Sequence, residues 1–276
     1  MLKLIHDKVL CIAHRGASSL APENTLAAAR KALELGADLW ELDVSVTADG
    51  KLVVLHDDSL ARTTNVRAIF PQRSPWLIST FTLAEIQTLD AGSWFVETDP
   101  FGTIAGGAVS PVEQAAYRGE PLPTLAEALR FTREHGWQVN VEIKALIPPL
   151  ENFPVVERVV ALIESLDLVD GVLLSSFEHA YMQQVKRLNP ALAVAALIDA
   201  GEAWPAEWSQ YDAVHPYAGS VDPTQIQAAH RAGVAVNPWT VNDPAEMQRL
   251  SEAGVTGMFT DFPQRLLSIS GDNKRR

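Results

Sequence analysis

Short apolar segments and longer amphipathic segments alternate along the chain. Strand-like runs are predicted at residues 9–13, 39–46, 139–143, 171–175, 192–198, 213–215, 234–237 and 257–260. Apolar residues spaced three and four positions apart predict helices at residues 24–35, 124–134, 154–166, 178–188, 222–232 and 244–253. Eight strands separated by helices predict an α/β protein, and a closed (β/α)8 TIM barrel explains eight repeats better than an open doubly wound sheet.

Residues 57–122 interrupt this alternation. The stretch contains five prolines and the pair Gly106-Gly107, and its pattern predicts one clear helix at residues 83–89. An unstructured loop of this length would be unusual. We therefore predict one domain over residues 1–276, with a small insertion subdomain at residues 57–122, after the second β-strand unit and over the mouth of the barrel. Its core is expected to hold four aromatic residues: Trp76, Phe81, Trp94 and Phe95.

The composition is that of an ordinary globular protein, with 47% hydrophobic and 20% charged residues. A net charge of -12 argues against nonspecific binding of polyanions, so no nucleic-acid partner is expected. Residues 1–8 lack the apolar core of a signal peptide, and no apolar stretch approaches the roughly 20 residues of a membrane span. We expect a cytoplasmic protein without a membrane anchor; the sequence leaves its oligomeric state open.

Carboxylates occur on the predicted strands at positions that share one face. Glu41 and Asp43 are two residues apart, and Glu142 has the same parity as Asn140 and Lys144 on the next barrel strand. Three carboxylates that converge inside a barrel repel one another, and a divalent cation relieves this repulsion. Oxygen ligands favour Mg²⁺ or Ca²⁺ over Zn²⁺, and the sequence leaves the choice between these two open.

Two histidines and two cations accompany the carboxylates. The turn at residues 47–50 folds the chain back and brings His56 toward the carboxylates, while His14 follows the first strand. The two imidazoles would flank a substrate, one removing a proton and the other giving one to the leaving group. Arg15 and Lys144 would supply the positive charge that an anionic phosphate ester requires.

Other polar residues have a structural explanation beside a functional one. Residues 22–25 form a Pro-Glu-Asn-Thr segment that is typical of a helix start. His215 ends the sixth predicted strand, and Trp239, Asn242 and Asp261 follow the last two, where barrel loops bind substrate. Trp239 is a candidate for substrate binding, as a wall against the carbon backbone, and equally for a packed aromatic residue.

Taken together, the polar clusters resemble the glycerophosphodiester phosphodiesterase family, in its cytoplasmic bacterial type. The matching segments are His14-Arg15-Gly16, Pro22-Glu23-Asn24-Thr25, Glu41-Leu42-Asp43-Val44, His56-Asp57, Leu60-Ala61-Arg62-Thr63-Thr64, Leu89-Asp90-Ala91-Gly92-Ser93-Trp94-Phe95, Pro123-Thr124-Leu125, Val141-Glu142-Ile143-Lys144, Trp239-Thr240-Val241-Asn242 and Thr260-Asp261. They occur in order along nearly the whole chain. The resemblance implies a (β/α)8 barrel with a small insertion after the second strand unit.

The resemblance also implies a role for each cluster. Metal binding falls to Glu41, Asp43 and Glu142, acid–base catalysis to His14 and His56, and phosphate binding to Arg15 and Lys144, with Glu23 as a further substrate-binding candidate. The implied reaction hydrolyses a glycerophosphodiester, a small molecule, to sn-glycerol 3-phosphate and an alcohol. Attack by the substrate's own 2-hydroxyl and direct attack by water both stay open, as do the preferred alcohol and the division of acid and base roles.

Two other functions fit parts of the pattern. A phospholipase-D-like phosphotransferase would use the same barrel, metal and histidines, but it predicts an apolar or basic membrane-facing surface that the acidic balance disfavours. A non-catalytic barrel scaffold would be expected to lack a histidine or a carboxylate of the set, and all are present. Residues 65–71 and 101–119 depart from the family pattern inside the insertion, where they would affect specificity for the alcohol.

Overall fold

Parallel strands and helices alternate along the computed structural model, which describes residues 4–6 and 8–272. The strands are β1 (Leu10–Ala13), β2 (Leu39–Val46), β3 (Leu52–Val54), β4 (Val139–Ile143), β5 (Val172–Ser176), β6 (Ala193–Ile198), β7 (Ala213–Pro216), β8 (Ala235–Val236) and β9 (Gly257–Thr260). The helices are α1 (Leu26–Leu35), α2 (Val66–Ile69), α3 (Leu83–Ile86), α4 (Ser93–Thr98), α5 (Pro111–Tyr117), α6 (Leu125–Glu134), α7 (Val155–Ser165), α8 (His179–Leu188), α9 (Pro223–Ala232), α10 (Pro244–Ala253) and α11 (Pro263–Asp272). Of residues 1–8, which were predicted not to form a signal peptide, positions 1–3 and 7 lie outside the described residues.

Eight of these strands form a nearly closed parallel barrel. They follow the order β8, β7, β6, β5, β4, β2, β1, β9, while β3 pairs antiparallel with β2. Backbone bonds continue between the two ends of this order: Thr256 N donates to the Val236 carbonyl at 2.9 Å, and Phe259 N to the Pro238 carbonyl at 3.0 Å. The predicted (β/α)8 barrel is confirmed.

The bounds of some elements differ slightly from the predicted ones. The first helix begins at Leu26 because Asn24 has a left-handed φ of 58° and Thr25 caps the helix, its side chain accepting a bond from the Ala28 amide. The strand predicted at residues 234–237 shortens to β8 because Val234 N bonds to the Ala229 carbonyl, as part of the end of α9. Such local hydrogen bonds are not visible in a pattern of apolar residues.

The side chains of β2 alternate between two environments. Trp40, Leu42 and Val44 belong to the large hydrophobic cluster between the barrel and its helices. Glu41 and Asp43 occupy the opposite face, which is the barrel interior, and both are buried. The alternation of side chains along β2 therefore packs its apolar residues against the helices and directs its two carboxylates into the barrel interior.

Residues 57–122 contain more helix than their pattern predicted. α3 coincides with the start of the predicted helix at residues 83–89, whereas α2, α4 and α5 are additional. α2 spans only four residues and α4 only six. α5 is defined at its start by a capping box between Ser110 and Glu113 rather than by apolar periodicity. That this segment is a separate subdomain within one domain stays a prediction.

The aromatic residues of the insertion divide between two apolar clusters. Phe81, with Trp76 packed beside it, lies in a cluster that includes Val53 and Leu55 from the hairpin after β2. Phe95 and Trp94 lie with α1 residues such as Ala27 and Ala28. All four aromatic residues thus lie in or against apolar clusters, and both clusters also include residues from the barrel side of the chain.

Candidate active site

A cavity at the carboxyl ends of the barrel strands collects most of the predicted site residues. It encloses about 620 Å³, open solvent at its mouth included. Its lining comprises His14, Arg15, Glu41, His56, Asn140, Glu142, Lys144, Ser175, Phe177, Leu197, Trp239, Thr240 and Phe259. Among the predicted residues, Asp43 lies beside the lining carboxylates, whereas Glu23 and His215 lie outside this set of lining residues.

The three carboxylates form a compact cluster. Pairing of β2 with β4 sets Asp43 opposite Glu142, and Glu41, Asp43 and Glu142 each present an oxygen within 4.8 Å of the others. Burial and the two neighbouring carboxylates raise the pKa of Glu41 well above its usual range. Burial and Asp43 likewise raise the pKa of Glu142. A set of three oxygen ligands under mutual repulsion fits a hard divalent cation.

Two cations partly compensate this negative charge. The backbone amide of Arg15 donates to Glu41 at 2.8 Å, and Nε of the Arg15 side chain lies 3.4 Å from Asp43. Lys144 Nζ lies 3.5 Å from Glu142 and 3.8 Å from Asp43. Burial by itself would raise the pKa of Asp43, but Arg15 and the other neighbouring cations hold it at about 2. Burial alone would lower the pKa of Lys144; Asp43 and Glu142 raise it instead.

Each cavity histidine is held by an aspartate through Nδ1. His14 Nδ1 lies 2.7 Å from Asp261 Oδ1, and His56 Nδ1 lies 2.7 Å from Asp57 Oδ1. An ionised carboxylate can only accept, so Nδ1 is the donor in both pairs and Nε2 is the nitrogen available for proton exchange. Ser18 and Asn242 donate further bonds to Asp261, at 2.9 and 2.6 Å.

The segment at residues 22–25 combines the structural and the functional alternatives. Thr25 caps α1, as expected of a helix start. Asn24 Nδ2 donates to Asp43 Oδ2 at 2.8 Å, and Glu23 Oε1 accepts from Arg15 Nη1 at 2.9 Å. The left-handed backbone of Arg15 and Asn24, at φ 56° and 58°, is held by a bond from the Asn24 amide to the Arg15 carbonyl. The loop is therefore built to orient the groups around the carboxylates.

Trp239 borders the cavity beside other aromatic rings. Its Nε1 donates to the His215 carbonyl at 2.8 Å, and its ring packs edge-on against Phe177 and Tyr217. His215 itself is fully buried below, where burial lowers its pKa to about 3. The indole is thus both packed and exposed to the cavity, so the two alternatives for this residue are compatible.

Sequence reasoning did not assign a role to Arg62 or a partner to His14. Arg62 lies in the insertion and bonds to both Asp57 and Glu23. Asp261 follows the last barrel strand and is 247 positions away from His14 along the chain. The position of Asp261 beyond a strand end was a usable indication, whereas nothing in the local pattern around Arg62 indicates its partners.

Comparison with known proteins gives a consistent result over nearly the full length. Residues 14–265 match the model of the glycerophosphoryl diester phosphodiesterase family. A glycerophosphodiester phosphodiesterase of Caldanaerobacter subterraneus is 36% identical, over 95% of this chain and 98% of the relative. A glycerophosphodiester phosphodiesterase of Bacillus subtilis is 32% identical, over 93% of this chain and 85% of the relative.

Solved structures give the same picture. A phosphodiesterase of Oleispira antarctica, solved in complex with its product sn-glycerol-3-phosphate, is 30% identical with a TM-score of 0.73, over 94% of this chain and 95% of that one. A Silicibacter pomeroyi protein proposed to be a glycerophosphoryl diester phosphodiesterase is 28% identical with a TM-score of 0.83, over 98% and 96%. The likeness covers the barrel and the insertion together.

Proposed function

Because the chain belongs to the glycerophosphoryl diester phosphodiesterase family, we propose that His14 and His56 are the acid–base pair with which it acts on its substrate. The chain is an enzyme of this class and hydrolyses glycerophosphodiesters to sn-glycerol 3-phosphate and an alcohol. One observation carries the proposal for the histidines. Both line one cavity with the carboxylate cluster, and both have Nδ1 engaged by an aspartate, which leaves two Nε2 atoms for proton exchange.

The carboxylate cluster is proposed to hold Mg²⁺ or Ca²⁺. Glu41, Asp43 and Glu142 supply oxygen ligands alone, which suits these two ions better than Zn²⁺. When bound, such an ion polarises phosphoryl oxygens and stabilises the negative charge that develops in phosphoryl transfer. Burial and the neighbouring carboxylates raise the pKa of Glu41 and Glu142, and this supports a bound cation, because added positive charge would favour the ionised form of both.

Arg15 and Lys144 are proposed to orient the phosphate. When all three carboxylates are ionised, their charges and those of the two cations sum to -1, and a divalent ion brings the sum of this set to +1. A phosphodiester carries a single negative charge, so a bound ion makes the site more favourable for the substrate. Glu23 is proposed to act on the phosphate indirectly, through its bond to Arg15. Trp239 is proposed as the wall along the carbon backbone.

The residues support a route in two half-reactions. In the first, the glycerol 2-hydroxyl oxygen bonds to phosphorus as the bond from phosphorus to the alcohol oxygen breaks. One imidazole accepts the hydroxyl proton, and the other, as imidazolium, donates a proton to the departing alcohol. Water then opens the cyclic phosphate with the two roles exchanged. Direct attack by water is the other route, and a substrate that lacks the 2-hydroxyl separates them, since only direct attack would release its alcohol.

Release of sn-glycerol 3-phosphate from glycerophosphocholine and glycerophosphoethanolamine tests the reaction and the ion together. The purified protein is treated with chelator and then given Mg²⁺, Ca²⁺ or Mn²⁺ in turn. We expect release to require the added ion, and the most effective ion identifies the working metal. No release with any ion would contradict the proposal and favour lipid headgroups as substrates or a scaffold role. A place in lipid metabolism and the cytoplasmic location stay predictions.

His14→Ala and His56→Ala test the acid–base pair. Each change should lower kcat by about 10²- to 10⁴-fold, since one proton transfer loses its catalyst. Metal binding, measured by calorimetry, should change little because neither histidine belongs to the carboxylate cluster. His230→Ala is the control: His230 is exposed on α9 and does not line the cavity. A His14 or His56 variant with full turnover would refute that residue's assignment.

A further inference from the structure

Arg62 connects the insertion to two carboxylates that border the active site. Its Nε and Nη2 donate to Asp57 at 2.6 and 2.9 Å. Its Nη1 and Nη2 donate to Glu23 at 2.7 and 2.8 Å. Four bonds to two carboxylates use nearly all the donors of one guanidinium, an arrangement that a lysine cannot reproduce.

The two carboxylate oxygens that Nη2 contacts also bind the residues of the cavity. Asp57 Oδ1 accepts from Arg62 Nη2 and faces His56 Nδ1 at 2.7 Å. Glu23 Oε1 accepts from Arg62 Nη2 and from Arg15 Nη1. Nη2 of Arg62 is therefore connected through one carboxylate oxygen to His56, a proposed proton-transfer group, and through another to Arg15, a proposed phosphate-binding group.

We infer that Arg62 is a positioning residue, which fixes the His56 imidazole through Asp57 and the Arg15 guanidinium through Glu23 at the same time. The inference rests on the proposed function of His56 and Arg15. The insertion would thereby set the geometry of catalysis without touching the substrate, and a displacement of its Arg62 loop would loosen both groups together.

A purely structural role for Arg62 makes different predictions. The side chain is 42% exposed and lies 5.8 Å from the Trp94 ring centre, so its contribution to stability is modest. If Arg62 only neutralised Asp57 and Glu23, any cation at this position would suffice. If it positions both groups, its planar, two-sided geometry is required, and Arg62→Lys should be impaired although charge is retained.

The kinetic test compares Arg62→Lys and Arg62→Met with Arg73→Met. Arg73 is a matched control in the same insertion: it pairs with Glu85 and lies over the Phe81 ring, and neither it nor these partners line the cavity. Both Arg62 variants should lose about 10- to 100-fold in kcat, by analogy with the range found when a residue that orients a metal ligand is replaced. Arg73→Met should keep kcat within about twofold.

Nitrogen NMR of the imidazoles reports the tautomer of His56, which a change in folding stability alone would not alter. In the wild type, His56 should be observed as the Nδ1-protonated tautomer when neutral, and both Arg62 variants should show a mixture of tautomers. His14 is the internal control because it is held by Asp261, and Arg62 makes no hydrogen bond to Asp261. Its signals should not change in any variant.

Each outcome decides the matter. Reduced kcat in Arg62→Lys together with an altered His56 signal and an unchanged His14 signal supports positioning. Wild-type kcat or a wild-type His56 signal in Arg62→Lys would overturn it, as would equal losses in the Arg73 control. If the wild-type protein releases no sn-glycerol 3-phosphate, the proposed function fails, while the His56 tautomer still tests the link from Arg62 independently of catalysis.

Discussion

At the scale of single residues, the chemistry of the site depends on which nitrogen of each histidine is engaged. Asp57 binds Nδ1 of His56 and Asp261 binds Nδ1 of His14, so in both histidines Nε2 is the nitrogen directed to the cavity. The two pairs differ in surroundings. Asp261 is mostly buried and receives two further hydrogen bonds, whereas Asp57 is more exposed and depends on Arg62. His14 is therefore held by the barrel, and His56 by the insertion.

The pH dependence of stability should change in Asp261→Asn. Burial would raise the pKa of Asp261, but His14 and the hydrogen bonds to it outweigh this and lower the pKa to about 2. Because this is below the usual value of about 3.9, the ionised carboxylate stabilises the folded state above about pH 4, and the contribution is lost as the pH falls toward 2. The contribution is on the order of 2 kcal/mol.

Urea unfolding of the wild type and Asp261→Asn at a series of pH values measures this difference. The stability of the wild type should fall more steeply on acidification, and the two curves should converge at the lowest pH at which both proteins fold. Parallel curves over the acid range would show that the contact with His14 does not depress the pKa of Asp261.

At the scale of elements, the loop between β1 and α1 is the most constrained part of the site. Arg15 and Gly16 both have left-handed φ angles, 56° and 81°, and the Ala17 amide bonds to the Ala28 carbonyl at 3.0 Å. A Cβ at Gly16 would lie 2.6 Å from the Ala28 Cβ, so the loop approaches α1 more closely than a side chain allows. This contact fixes the backbone that carries Arg15.

Gly16→Ala should destabilise the protein more than Gly36→Ala. Both glycines have left-handed φ angles, of 81° and 85°, but a Cβ at Gly36 has nothing within 4 Å. Both variants incur about 1–2 kcal/mol of backbone strain, and Gly16→Ala incurs about 1–3 kcal/mol more from the clash with α1. Thermal and urea unfolding measure the difference. Only Gly16→Ala should also reduce activity; equal effects would mean that the loop adapts.

At the scale of the whole molecule, a protein with a net charge of -12 is expected to bind an anionic substrate. The positive groups proposed to make this possible are local, since Arg15 and Lys144 lie in the cavity and Arg62 behind it. A divalent ion would complete this local reversal of charge. None of the helices in the described residues combines the length and apolar character needed to cross a membrane.

Metal binding should therefore stabilise the whole fold. Addition of Mg²⁺ or Ca²⁺ to chelated protein should raise Tm by several degrees, because a ligand at about 100 times its Kd contributes about 2.7 kcal/mol. The gain should increase with pH, since the raised pKa of Glu41 and Glu142 means that protons must leave before the ion binds.

Thermal unfolding with and without the ion, at several pH values, measures the gain. Glu41→Gln and Glu142→Gln should abolish it, while Glu252→Gln, on the exposed face of α10, should retain it. A gain that is the same in all three variants would place the ion elsewhere.

The sequence by itself determined the barrel and most of the cavity. Alternation of strand and helix patterns is a local property, and a period of two fixes which side chains of β2 face the interior, so spacing alone is enough to pair Glu41 with Asp43. The carboxyl ends of barrel strands meet at one face, which is why the clusters at His14 and Glu142 could be joined into one site, and the turn at residues 47–50 brings His56 to the same face.

Only the tertiary structure decided what holds these groups in place. The short helices of the insertion are stabilised by caps and by packing on the barrel, and no periodic pattern records either. The bonds from His14 to Asp261 and from Arg62 to Glu23 join parts of the chain that meet only after the barrel has closed and the insertion has packed against it. Sequence spacing specifies which face of a strand a residue occupies; contacts between distant loops depend on how those loops pack.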